Sequence, residues 1–323
     1  MRRREFIAGL GSTAAWPAVG RAQQRTMPVI GLLGGRPGQP TLAAFRTGLA
    51  ETGYEEGRNV AIEYRWVNNR NDQLAALLRD LINRGVAVLA PVSGTATALA
   101  AKAATQTIPI VFRIGGDPVA AGLVARLNRP DGNITGATTL GVELGPKRLQ
   151  MLRELLPTGA TVALLSNPTN ANVTTETREI QAAAQLLGVR LLVLNAANAS
   201  DLDVAFARIA QQNVGGLLPA ADPFIIAQRN QIIALAARLA IPAIYSSRNE
   251  YDAGGLMFYG ADSANGYRIA GTYVGRILKG EKPADLPVQQ STKVELAINL
   301  KVAKILGITI PTVLLGRAEE VIE

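Results

Sequence analysis

The sequence predicts an α/β protein made of two doubly wound parallel-sheet lobes. Three observations predict it. Apolar, β-branched runs of strand length alternate with amphipathic helical stretches, which is the pattern of a parallel sheet covered on both faces. The alternation restarts after a helical stretch at 145–156, so two successive sets are present. Finally, "TIPIVFRIGGDP" (107–118) and "AIPAIYSSRNE" (240–250) each follow an Ala-rich helix and open on Ile-Pro. Proline suits a strand start, where an amide donor can be spared.

The elements follow in order. "PVIGLLGG" (28–35) reads as a strand stopped by glycines, and 39–52 as a helix with Leu42, Phe45 and Leu49 on one face. Strands are then expected at 59–66, 86–93, 108–115 and 133–139, with helices at 72–83, 95–105 and 119–127. The second set has strands at 161–168, 190–196, 214–223, 241–248 and 255–260, separated by helices at 173–187, 201–212 and 225–239. A helix at 263–278 ends at the Gly- and Pro-bearing turn "KGEKPADLP", and "KVELAINL", a helix at 301–306 and a short tail complete the chain.

At the front, Arg2, Arg3 and Arg4 precede an uncharged, apolar and small-residue stretch at 7–19, and Gly20-Arg21-Ala22 offers small residues for cleavage. This predicts a secretory signal peptide over 1–26 with its short leader, cut near Ala22, and hence a periplasmic protein. The stretch is shorter than the roughly 20 apolar residues a bilayer span needs. Arg3-Arg4-Glu5-Phe6-Ile7 is similar to a twin-arginine export signal.

Among 323 residues there is no Cys and no His. That excludes disulfides, thiolate nucleophiles, Ser-His-Asp triads and most zinc sites, so no catalytic residue, metal or cofactor is assigned. The chain also lacks a Gly-x-Gly-x-x-Gly fingerprint and a phosphate-cradling Gly-x-x-x-x-Gly-Lys motif. Net charge is +8, of which Arg2, Arg3, Arg4 and Arg21 against Glu5 supply +3. The remaining basic residues are interspersed with acids, and no basic stripe marks a nucleic-acid partner.

Ligands of doubly wound sheets bind beyond the carboxyl ends of the strands. Glycines, small hydroxyl or amide residues and a few charges occupy those positions here, which suits a clamp for a small polar molecule. Ser93-Gly94-Thr95 lies between a strand and a helix, where unpaired amides suit a carboxylate. Two readings stand for it: a helix cap alone, or a cap that also holds ligand. Asp117 and Asp222, each before a proline, are taken as equivalent strand ends of the two lobes, either turn residues or partners for an ammonium group. Thr138, Asn167 and Tyr259 are further strand-end candidates, and Arg248 and Glu250 lie in a charged loop.

Several stretches resemble one family: "GLAETGYEEGRNVAIEYRW" (48–66), "TIPIVFRIGGDPVAAGLV" (107–124), "RPDGNITG" (129–136), "KRLQMLRELLP" (147–157), "YDAGGLMFYG" (251–260) and the run 276–311. The chain resembles the substrate-binding proteins of ABC transporters with the type I periplasmic-binding fold, in the branch that includes tryptophan- and tyrosine-binding members. The resemblance implies a hinge of three crossings, near 139–141, 260 and 288. The first lobe would then hold 27–139 plus 262–287, and the second 142–260 plus 288–323. It further implies a monomeric, non-catalytic receptor that binds a small solute, an aromatic or branched amino acid, and delivers it to an inner-membrane ABC permease. In that picture Ser93, Gly94 and Thr95 hold a carboxylate and Asp117 or Asp222 an ammonium, while Asn167, Arg248 and Tyr259 close over the ligand. Rival readings are an exported enzyme acting on a small metabolite, the sensing lobes of a transcription regulator, and a receptor that presents its solute to a sensor kinase.

Overall fold

The computed structural model describes residues 27–34, 40–67, 70–291 and 293–323. The expected signal segment 1–26 and the strand-end residues Gly35 and Arg36 lie outside the described residues.

The first set of elements is β1 (Val29–Leu33), α1 (Pro40–Ala50), β2 (Ala61–Arg65), α2 (Leu74–Asn83), β3 (Val88–Pro91), α3 (Thr95–Ala104), β4 (Ile110–Ile114) and β5 (Ile134–Thr138). The second is α4 (Gly145–Arg153), β6 (Thr161–Ser166), α5 (Val173–Leu186), β7 (Arg190–Asn195), α6 (Ala199–Gln211), β8 (Gly216–Pro219), α7 (Pro223–Ala227), α8 (Arg229–Arg238), β9 (Ile244–Tyr245), α9 (Arg248–Asp252) and β10 (Met257–Ala261). The chain then runs through α10 (Ser263–Leu278), β11 (Gln289–Gln290), β12 (Val294–Asn299), α11 (Leu300–Ile305), α12 (Thr312–Leu315) and β13 (Glu320–Ile322).

One sheet has the order β11-β5-β4-β3-β1-β2, with every pairing parallel. β3 is buried along its whole length, as expected of a strand with helices on both faces. Helix α10 lies on α1, and Phe45, Leu49, Tyr273 and Val274 share one core with Ile30 and Val88. Leu78, Leu81, Ala98 and Phe112 fill the opposite face. The second lobe contains the orders β7-β6-β8 and β13-β12-β10-β9. A bridge between Leu217 and Ala243, with the Leu217 amide donating to Pro242 O at 2.9 Å, joins β8 to β9 and makes the two sheets continuous. Here Leu149, Leu152 and Ile180 cover one face and Phe206, Ile209 and Ile232 the other.

Three local expectations are corrected. No helix forms at 119–127: Asp117 Oδ1 instead takes the amides of Val119 at 2.7 Å and Ala120 at 3.2 Å, and Gly122 turns the chain with φ +70°. The helix expected at 225–239 begins earlier and breaks at Gln228, because Asp222 caps α7 with Pro223 in its first turn. Of the strand expected at 241–248 only Ala243, Ile244 and Tyr245 pair, since Ser247 and Glu250 form a capping box that starts α9.

The packing of α1 against α10 gives a first prediction. Phe45 is 0% exposed. Phe45→Ala should cost about 3–5 kcal/mol through the cavity it leaves, read as a lower urea midpoint at an unchanged slope.

Candidate functional site

The strand order places the site. In the first sheet β1 lies between β2 and β3, so the chain leaves β1 and β3 in opposite directions and a fork opens at their carboxyl ends. The second lobe repeats this order, with β6 between β7 and β8. The two forks face one another across the lobes. Asn172 Nδ2, from the loop after β6, donates to Thr95 Oγ1 after β3 at 3.1 Å. A Cβ on Gly94 would sit 3.4 Å from Pro223 Cγ, and one on Gly116 would sit 3.0 Å from Asn172 Oδ1.

Because the orders match, the equivalence of Asp117 and Asp222 is corrected. Asp117 follows β4, whose counterpart is β9, and Asp222 follows β8, whose counterpart is β3. The topological partner of Asp222 is therefore Ser93-Gly94-Thr95, and that of Asp117 is Ser246-Ser247. Each aspartate precedes a proline for a different reason.

At the first fork, Gly94 takes φ +112°, a conformation open to glycine and strained for other residues. Neither Ser93 nor Thr95 caps α3 with its side chain. The amides of Gly94, Thr95, Ala96 and Thr97, at the positive end of the helix, meet no acceptor among the described residues. Both readings of this segment included a side-chain cap, and neither hydroxyl makes one. Asp117 is exposed, and no described residue donates to its Oδ2. Thr138 is buried and supports the next loop, donating to Gly116 O at 2.8 Å.

At the second fork, Asp222 is buried and fully engaged. Oδ1 accepts from the Ile225 amide at 2.9 Å and Oδ2 from Asn170 Nδ2 at 2.5 Å, with Asn167 Nδ2 at 3.3 and 3.2 Å from the two oxygens. Burial pushes its carboxyl above the usual range, and these donors work against the shift. Asp222 is thus committed to its own lobe, and the ammonium role expected of it has no oxygen to use. Arg248 is likewise turned away: it pairs with Asp252 at 2.8 Å and Glu320 at 2.7 Å and lies over the Tyr251 ring. Tyr259 is half-buried on the α4 face of the sheet. The structure brings together Ser93, Gly94, Thr95, Asn167 and Asp222, with Asp117 on the neighbouring loop, and leaves Arg248 outside.

Sequence reading missed the amides Asn170 and Asn172, although "NPTNAN" (167–172) after a strand was a usable signal. It also missed Glu143, whose Oε2 is buried without a described partner at the crossing between lobes. Behind the second fork, Arg148 and Glu250 are both 0% exposed and Glu176 is 3% exposed. Arg148 Nη2 meets Glu176 Oε1 at 3.4 Å. Burial is the largest influence on all three, lowering the Arg148 pKa and pushing Glu176 and Glu250 each up to about 7, with Arg148 opposing the rise.

These two carboxyls make stability fall with pH. They hold protons in the folded protein up to about 7, whereas the ordinary value is 4.5, so over that interval the folded state binds more protons. The ligand-free protein should lose about 3–6 °C of Tm between pH 5 and pH 8 by calorimetry, and Glu176→Gln with Glu250→Gln should flatten the trend. The surface carboxylates Asp72, Asp80 and Glu281 are shifted downward by Arg partners and titrate below this window. A Tm that rises from pH 5 to pH 8 would contradict the assignment.

Comparison with known proteins places this arrangement. The pattern of the family described as ABC transporter substrate binding protein matches residues 37–322. A tyrosine-binding protein of Clostridioides difficile is 25% identical over 257 residues, which is 79% of this chain and 73% of that protein. A crystal structure of a conserved domain protein from Vibrio cholerae superposes with a TM-score of 0.82 at 27% identity, covering 92% of this chain and all of the other. The structure of an ABC domain in complex with L-Trp from Streptococcus pneumonia gives a TM-score of 0.81 at 25% identity, with 92% of this chain and 100% of that one covered. More distant likenesses carry the type I periplasmic-binding fold with its two lobes.

Proposed function

The chain belongs to the ABC transporter substrate-binding proteins, a family of solute-binding proteins and not of enzymes, and from that premise we propose that it is the exported receptor of an importer that takes up an aromatic L-amino acid. The ligand lies between the facing forks, and the lobes close on it about three crossings. The observation that carries this reading is the amino end of α3, where the amides of Gly94 to Thr97 meet no described acceptor opposite a wall of asparagines. A carboxylate fits there, favoured by the helix dipole and by short amide donors. Asp117, with an oxygen to spare on the adjacent loop, takes the ammonium group in place of Asp222. The relatives described as binding tyrosine and L-Trp support an aromatic side chain.

Closure follows from the same contacts. The Asn172 to Thr95 bond crosses the lobes, and Gly116 gives Asn172 room to approach. An occupied, closed receptor presents a different surface from an open one, which is what a permease reads. The signal segment 1–26 delivers the protein to the periplasm in this reading, and the same receptor works as a monomer without catalysis.

Titration calorimetry of the protein against L-Trp, L-Tyr, L-Phe and the branched amino acids tests the reading. Micromolar or tighter binding of one aromatic member is expected. Absence of heat with every member would overturn the amino-acid assignment. Asp117→Asn should weaken binding about ten-fold or more with little change in Tm, since it removes the charge partner of the ammonium and touches no core. Asn172→Ala should weaken binding about three- to ten-fold, the worth of one hydrogen bond made on closure.

A further inference from the structure

One side chain ties the segment that passes between the lobes to a strand-end loop of the second lobe. Arg148 on α4 donates from Nη1 to Gly141 O at 3.0 Å, in the segment that crosses between the lobes. Its Nη2 reaches Glu176 Oε1 at 3.4 Å, and that same oxygen accepts the amide of Ala221 at 2.8 Å, beside Asp222 at the fork. Glu250 is buried nearby, but its Oε2 accepts the Ser247 amide at 3.0 Å within the capping box of α9 and no described hydrogen bond joins it to Arg148.

Core packing does not demand these charges. Leu149 and Leu152, on the same helix, already fill an apolar core at 0% exposure without Arg148. A buried guanidinium is costly unless its donors are used, and here Arg148 Nε and Glu250 Oε1 are both without a described partner. The network is therefore a poor source of stability. Its geometric effect is specific: the planar guanidinium meets Gly141 O and Glu176, and Glu176 hands that direction on to the amide of Ala221 at a strand end.

We propose that Arg148 is a positioning residue of the ligand cleft, holding Gly141 directly and Ala221 through Glu176 in one register. It touches none of the cleft-lining groups named above and acts through these loops. Glu250, Glu143 and Tyr259 are the other titratable groups that act on it, and Asp222 acts on Glu176. The proposal rests on the cleft being the ligand site, so its test has one arm that needs no ligand.

That arm is residue-resolved hydrogen exchange of the ligand-free protein. Arg148→Met should speed exchange about ten-fold or more at the amide of Ala221, while the core amides of Ala163 and Leu217 and the capping-box amide of Ser247 keep their protection. Glu176→Gln, a milder change available if the first variant fails to fold, should loosen Ala221 and leave Ser247 as it was. Arg148→Lys should recover part of the protection. In the second arm, calorimetry with L-Trp and L-Tyr should give affinity about ten-fold weaker for Arg148→Met and Glu176→Gln and a partial rescue by Arg148→Lys. Exchange that is unchanged, or that rises equally in the core, overturns the proposal. So does local loosening with affinity intact. Failure of wild-type protein to bind any amino acid overturns the proposed function instead, and the exchange pattern still decides whether Arg148 sets the loops.

Discussion

Parallel strand pairing with the inner strand entered first is the constraint from which the rest follows. When β1 sits between β2 and β3, or β6 between β7 and β8, the connections on either side leave in opposite directions and cannot fill the space above the central strands. Backbone amides and short side chains are left facing that space. The protein contains two such forks, brought face to face, so that Thr95 and Asn172 meet across the lobes. No single loop makes this contact, and the groups on either side of it depend on the strand order beneath.

The forks are chemically unlike. The first presents α3 with amides that meet no acceptor among the described residues, and Gly94 in a conformation open to glycine. The second is saturated: Asn167, Asn170 and the Ile225 amide all serve Asp222. Its surplus charge is buried one layer further back, in Arg148, Glu176 and Glu250. An open, positively polarised face against a rigid polar wall suits capture of an acid by one lobe and closure by the other. The crossing between them is itself constrained, since Leu140 adopts φ +48°, a left-handed conformation that costs about 1–3 kcal/mol for a side chain of this kind. Its neighbour Gly141 is the residue whose carbonyl Arg148 holds.

Periodicity made the architecture legible. Alternating apolar runs and amphipathic stretches identified the strands and long helices, and α10 was read over its full extent, because burial imposes a repeat that survives in a single chain. The failures were local, at 119–127, 225–239 and 241–248, where side chains capped backbone amides in preference to continuing a repeat. Composition alone also removed the common catalytic chemistries, by the absence of His and Cys.

Ser93-Gly94-Thr95 could be singled out from the sequence because a glycine between two hydroxyls follows a strand and precedes a helix. Arg248 looked as suitable as Asn167, and only the packing of β13 against β12 put Glu320 within its reach. Arg148 and Glu176 were read as ordinary helix positions, and Glu250 as a loop charge, because a charge on a helix face carries no mark in the sequence of whether the face is wet. The sequence by itself determined the strand order's raw material, the two lobes and the polar strand ends. Tertiary structure decided which strand ends face each other, which aspartate keeps an oxygen to spare and which charges are buried. Those outcomes depend on contacts between residues far apart in the chain, and hydrogen-bond partners at such separations are chosen by packing and not by local pattern.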